Sequence, residues 1–201
     1  MNLGYQLDAD DPDFERLIHL MVGLGYDCVE VSTSNPVNSF SHICHASDII
    51  KIAALGTGSY FRKHGDHDFY NKMLPKYITI CDFVDCPLIF GEALRFPLIL
   101  KQPKGIDVYL ESGIVENFEK IKSEYIWAKT LYDTFHQKGV IPADAEYVQI
   151  SSSKRGLPYS EHHDFIKSYE GILVGEIFNE PNLSEMEKII EFKKIVDNAK
   201  K

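Results

Sequence analysis

Residues 56–69, GTGSYFRKHGDHDF, gather a Gly-Ser corner, two basic side chains, two histidines and two aspartates into one short stretch. Asp66 and Asp68 stand two residues apart, a spacing that turns both carboxylates to one side of an extended segment. Asp107, in the β-rich run GIDVYL, offers a third carboxylate from a neighbouring strand. Three carboxylates make a hard oxygen set suited to Mg²⁺. Gly58 and Ser59 leave backbone N–H groups free to approach a phosphate, and Arg62 or Lys63 would offset its charge.

With the run IAALGTGS before it and GIDVYL after it, this pattern resembles the nucleotidyltransferase superfamily, the polymerase-β-like fold. Its signature is an apolar run ending in Gly-Ser, then Asp-x-Asp, then a third acidic residue on a later strand. The resemblance covers roughly residues 50–110. It implies a Mg²⁺-dependent nucleotidyl- or phosphoryl-transfer enzyme acting on a nucleotide or phosphorylated ligand. In that reading Asp66, Asp68 and Asp107 hold the metal, Asp107 helps activate the attacking hydroxyl, and Gly58, Ser59, Arg62 and Lys63 contact the phosphate.

Other constellations keep other functions open. His64, Asp66, His67 and Asp68 form one imidazole and carboxylate cluster, and Glu161, His162, His163 and Asp164 form another, which together would suit a transition-metal hydrolase. His42 and His45 lie near Ser41 and Ser47, but no Gly-x-Ser-x-Gly elbow accompanies them. The loop SSSKRGLPYS sets Lys154 and Arg155 beside three serines and a glycine, an anion-binding composition in an acidic chain. A non-catalytic binding or regulatory protein is the remaining alternative, with a partner surface near Tyr125 and Trp127 or in the 151–165 loop.

The elements that must position these residues follow from pattern. Asp11 before Pro12 starts a helix over residues 12–24, with Phe14, Leu17, Ile18 and Met21 on one face, and CVEVS then alternates as a strand: a β-α-β beginning after the apolar start MNLGYQL. Residues 47–54 read as helix or strand. KYITICDFV, FPLIL and IDVYL are β-rich runs, and EYVQIS and GILVGEIF read as later strands. Phe118, Ile121, Tyr125, Ala128, Leu131, Tyr132 and Phe135 recur at helical spacing and predict a helix over 116–137. Ser184 and Glu187 form a capping box that opens a last helix over 184–199.

The 201 residues, 44% hydrophobic and 25% charged, suit one α/β or α+β domain, 1–201, with a mixed β-sheet covered by helices. A net charge of −9 argues against a broad nucleic-acid surface. The acidic N-terminal stretch and the lack of a long apolar run predict a soluble, cytoplasmic protein without a membrane segment. Four cysteines without a CxxC pair read as buried thiols.

Overall fold

Alternation along the chain is the pattern from which the sheet is built. The computed structural model describes residues 1–57, 72–90, 102–112, 118–136, 141–160 and 162–201. Eight strands run through it: β1 (Asn2–Asp8), β2 (Cys28–Ser32), β3 (Lys51–Gly56), β4 (Leu88–Phe90), β5 (Val108–Ser112), β6 (Lys129–Asp133), β7 (Tyr147–Ile150) and β8 (Ile172–Gly175). Each pairs in parallel with the next, and β8 returns to β1 with Asn2 opposite Ile172. The sheet closes on itself.

This corrects the expected mixed sheet. The strands are all parallel, so each must be reached by a crossover, and the helices among the described residues supply most of these. They are α1 (Phe14–Gly23), α2 (Phe40–Ile49), α3 (Leu74–Val84), α4 (Phe118–Glu124), α5 (His163–Ser168) and α6 (Glu185–Ala199). Closure also removes the unpaired strand edges that an open sheet has to protect.

Two helical assignments move. KYITICDFV, read as β-rich, lies in α3: Pro75 opens its first turn, and Leu74, Tyr77, Ile80 and Cys81 are buried at helical spacing. The long helix over 116–137 is instead α4 followed by β6. Its helical period is real as far as Tyr125, whose N–H bonds to the Ile121 carbonyl. Beyond a turn at Ala128 the pairing of Leu131 and Asp133 with β7 overrides local propensity. The capping box on α6 is present, with Ser184 accepting from the Glu187 N–H and Glu187 accepting from the Ser184 N–H. The run FPLIL lies outside the described residues.

Strand faces divide the apolar side chains into two cores. Cys28, Ala53, Ala54, Ile89, Tyr109, Leu131, Tyr147 and Val174 come from seven different strands yet form one buried cluster, which only the barrel lumen can bring together. The residues between them on the strands, such as Tyr5, Val29, Val31, Leu110, Val148 and Leu173, pack outward with Phe14, Leu17, Ile43, Tyr77 and Phe192 from the helices. Three of the cysteines, Cys28, Cys81 and Cys86, are buried, and Cys44 is half-buried. Among the described residues no helix is long and apolar enough to cross a membrane.

One position shows how tightly the outer core is filled. A Cβ on Gly175 of β8 would stand 2.7 Å from the Phe192 ring and 2.9 Å from the Tyr5 ring. Those rings already pack on each other, with centroids 5.9 Å apart. Gly175→Ala is therefore expected to lower unfolding stability by about 1–3 kcal/mol through overpacking, read as a fall in urea midpoint with an unchanged slope.

Candidate active site

The lumen changes character along its length. On five strands an inward polar side chain follows two residues after an inward apolar one: Glu30 after Cys28, Glu111 after Tyr109, Asp133 after Leu131, Gln149 after Tyr147, Glu176 after Val174. The period of two therefore stacks a polar layer on the apolar one, at the C-terminal ends of the strands. Glu30, Asp133 and Gln149 are buried, Glu176 nearly so, and Glu111 is 15% exposed.

Glu30 anchors the layer from β2. Its carboxylate accepts hydrogen bonds from Gln6 Nε2 at 2.6 Å, Gln149 Nε2 at 2.7 Å and the Tyr147 hydroxyl at 2.7 Å. Burial pushes its carboxyl above the ordinary range, while these three donors pull it back. Burial and the nearby Asp133 carboxylate push Glu111 up to about 8, with Arg155 opposing. Burial, Asp133 and Glu111 likewise raise Glu176 well above the carboxylate range. Glu111 thus holds its proton at neutral pH.

Glu111, Asp133 and His136 present ligand atoms that all lie within 4.8 Å of one another. His136 Nε2 is 3.6 Å from Glu111 and 3.5 Å from Asp133. Arg155, from the loop after β7, reaches into the same place. Its Nη2 lies 2.5 Å from His136 Nε2 and 3.3 Å from Asp133 Oδ2, and its Nη1 is 3.1 Å from Glu176 Oε2. A guanidinium only donates, so Nε2 accepts and the ring proton of His136 sits on Nδ1. The contact with Glu176 is an ion pair off the N–H direction, because Glu176 Oε2 has no hydrogen-bond partner.

The loop that carries Arg155 is firmly built. Arg155 adopts a left-handed backbone, φ 57°, uncommon for a side chain of this size. Its carbonyl accepts from the N–H groups of Phe178 and Asn179, both at 2.9 Å, and the Leu157 N–H bonds to Glu180 at 2.9 Å. The guanidinium carbon lies 4.5 Å from the Phe135 ring centroid and 5.2 Å from that of Phe178. Such cation–π contacts hold the charged plane over the mouth of the barrel.

Buried polar atoms without partners concentrate here. Among the described residues, Ser112 Oγ, Gln149 Oε1, Ser151 Oγ and Glu176 Oε2 lack a hydrogen-bond partner, all at or just past the C-terminal ends of β5, β7 and β8, and Tyr5 Oη in the outer core is the other such atom. The amide of Gln149 is oriented by Glu30, which takes its NH₂ and leaves the oxygen free. Native structures rarely leave such atoms orphaned unless something satisfies them.

The residues singled out from the sequence fall elsewhere. Gly58, Ser59, Arg62, Lys63, Asp66 and Asp68 lie outside the described residues, as do His64, His67 and Glu161. Asp107 stands at the opposite, N-terminal end of β5, 56% exposed and paired with Lys129 at 2.8 Å. His42 and His45 are exposed on α2, and Ser47 donates to the Cys44 carbonyl of its own helix. His162 and His163 sit at the start of α5. Tyr125 is buried and packs edge-on against Trp127. Among the described residues that the sequence singles out, Arg155 is the one in the polar cluster, where it meets the carboxylates of Asp133 and Glu176.

A closed barrel of eight parallel strands with an acidic C-terminal mouth is decisive for the fold. It is a TIM barrel. Solved structures agree: the probable 3-DHS dehydratase AsbF of Bacillus anthracis superposes with a TM-score of 0.64 at 11% identity, covering 97% of this chain and 99% of that one. Tryptophan synthase from Pyrococcus furiosus gives 0.62 at 13% identity, covering 98% and 97%. A fusion of a xylose isomerase-like TIM barrel with 4-hydroxyphenylpyruvate dioxygenase gives 0.63 at 12% identity and covers all of this chain, which spans 43% of that protein. No protein-family model and no curated protein matches the sequence. The likeness establishes the fold alone, and it overturns the polymerase-β-like resemblance: a short Gly-Ser and Asp-x-Asp pattern also occurs in a chain whose strands close into a parallel barrel.

The proton held by Glu111 has a measurable consequence. The folded chain keeps it up to about pH 8, whereas the unfolded chain loses it near the ordinary value of 4.5. Between those values the folded state binds more protons, so stability falls as pH rises through that window. In metal-free buffer, the melting temperature is expected to decline from about pH 5 to pH 8, and Glu111→Gln should flatten the decline. A melting temperature that rises across this range would contradict the arrangement.

Proposed function

We propose that the chain is an enzyme working at the C-terminal mouth of its barrel on a small hydroxyl- and carbonyl-bearing molecule, with a divalent cation held by Glu111, Asp133 and His136. The reaction class is proton transfer within the bound molecule, as in an isomerase or a lyase. One observation carries this reading: Glu111, Asp133 and His136 converge, and the Gln149 oxygen beside Asp133 has no hydrogen-bond partner. A polar ligand and a cation are what those atoms lack.

The donor set fits the group. Carboxylate and amide oxygens with one imidazole suit Mg²⁺, Mn²⁺ or a similar ion better than a thiophilic metal. The surrounding acids supply the negative charge, and the apolar lumen below excludes water from that side. Bound there, a divalent ion would polarise a carbonyl or hydroxyl oxygen of the ligand. Glu176 is then placed to carry the proton, since burial and its acidic neighbours raise its carboxyl well above the ordinary value. His136 and Arg155, each partly open to solvent, are placed to bond ligand oxygens.

TIM-barrel enzymes work at this end of the strands, and the barrel scaffold admits many chemistries there. Two proteins of similar fold carry names in keeping with the proposal, one xylose isomerase-like and the other a dehydratase. The Mg²⁺ expected from the sequence is retained as a cofactor class, moved from the aspartates of residues 66, 68 and 107 to the barrel mouth. Nucleotidyl transfer is not carried forward.

The test has two parts. Mn²⁺ binding, followed by calorimetry and electron paramagnetic resonance, is expected at one site in the wild type and should weaken at least tenfold in Asp133→Asn. Incubation with small aldoses, ketoses and hydroxy acids in D₂O should then show cation-dependent incorporation of deuterium at a carbon-bound position. Absence of any divalent-ion binding would overturn the proposal.

A further inference from the structure

Arg155 occupies the seat that the proposed cation needs. The imidazole Nε2 of His136 has one lone pair, and the guanidinium takes it at 2.5 Å. A metal bound through that nitrogen would sit about 2.0–2.2 Å from it, so Nη2 and the ion cannot both be there. Asp133 Oδ2 is similarly engaged, at 3.3 Å.

We propose that Arg155 is a tethered counter-ion that competes with the divalent cation for His136 and Asp133, and that the site opens to the ion when the guanidinium swings outward. The inference rests on the cation reading given above. It concerns how that site is regulated, which the cation reading by itself leaves open.

The backbone and the side chain of Arg155 behave differently in this account. The main chain is fixed: its carbonyl is bonded by Phe178 and Asn179, and Gly156, whose Cβ would meet Glu180 Oε1, is packed tightly beside it. The side chain is 21% exposed, with the Phe135 and Phe178 rings against its guanidinium. Phe178, at 57% exposed, covers it from the solvent side, while Glu30, Glu111, Asp133 and Glu176 face the cluster from within. Rotation about the side chain torsions would carry the charge past Phe178 to the barrel rim, where a ligand oxygen could hold it.

Ion and ligand would then bind cooperatively. A ligand that draws the guanidinium outward frees Nε2 of His136 and raises affinity for the metal, and the metal does the same for the ligand. The unpartnered Gln149 Oε1, buried at 2% exposure on the neighbouring strand, is an oxygen that the guanidinium leaves unused and an incoming ion could take.

Calorimetric titration with Mn²⁺ alone tests this in the full chain. Arg155→Met is expected to bind Mn²⁺ at least tenfold more tightly than the wild type. Phe178→Ala, an exposed position that leaves the core intact, weakens one cation–π contact and should tighten binding roughly threefold. Lys154→Met, which removes an exposed charge next door, should change affinity by less than about twofold. Unchanged or weaker binding by both Arg155→Met and Phe178→Ala, with Mn²⁺ still bound by the wild type, overturns the competition and leaves the cation reading standing. Failure of every variant and of the wild type to bind overturns both. Should Arg155→Met not fold, Phe178→Ala against Lys154→Met decides.

Discussion

Four acidic side chains face one another in the upper lumen of the barrel, and their mutual repulsion in a buried setting is the constraint that the rest of the structure answers. Tyr109, Leu131, Tyr147 and Val174 form an apolar floor to the lumen below them. At low dielectric, like charges a few ångströms apart interact far more strongly than they do in solution. Three devices relieve the repulsion. Glu30 is surrounded by donors from Gln6, Tyr147 and Gln149. Glu111 keeps its proton to about pH 8, and burial with its acidic neighbours raises the Glu176 carboxyl as well. Arg155 brings in a positive charge that bridges Asp133 and Glu176.

The scaffold explains why such a cluster persists. Strand closure fixes which residues point inward, and no local slip can release one acid without turning a whole strand inside out. The left-handed conformation at Arg155 costs on the order of 1 kcal/mol or more. It survives because the backbone bonds from Phe178 and Asn179 fix the loop after β8 to the loop after β7. On the far side of the mouth Asp10 joins β1 to the turn after β2, accepting from Thr33, Ser34 and Ser39. Burial raises this carboxyl, yet the hydrogen bonds outweigh it and hold it below its ordinary value. Both of these described loops are thus held by hydrogen bonds of their own.

Much of the fold was legible in the sequence, and the reason the site was not is the same alternation. MNLGYQL, CVEVS, EYVQIS and GILVGEIF are strands, the first helix lies where Pro12 and Phe14 to Met21 place it, and the capping box at Ser184 is real. Closure was hidden, because a strand with an acidic residue among apolar ones reads as an open sheet with one wet face. Glu30 in CVEVS, Glu111 in VYLES and Asp133 in KTLYD look like solvent-facing residues of that kind. The informative signal was their recurrence: one polar side chain two residues after an inward apolar one, strand after strand. His136 was hidden differently, inside a run whose aromatic residues keep helical spacing into β6.

Gln149 shows what the cluster selects. It pairs directly with Asp133 across β6 and β7, where a carboxylic acid would add a fifth acidic group to four that are already crowded. An amide supplies an oxygen of similar reach without the charge, and its NH₂ gives Glu30 a donor that a carboxylate could not. The same substitution of dipole for charge leaves Oε1 facing the cluster with nothing to bond. With an amide at this position, the single guanidinium of Arg155 is the counter-charge that meets both Asp133 and Glu176, and the acids it does not reach depend on neutral donors, as Glu30 does on Gln6, Tyr147 and Gln149.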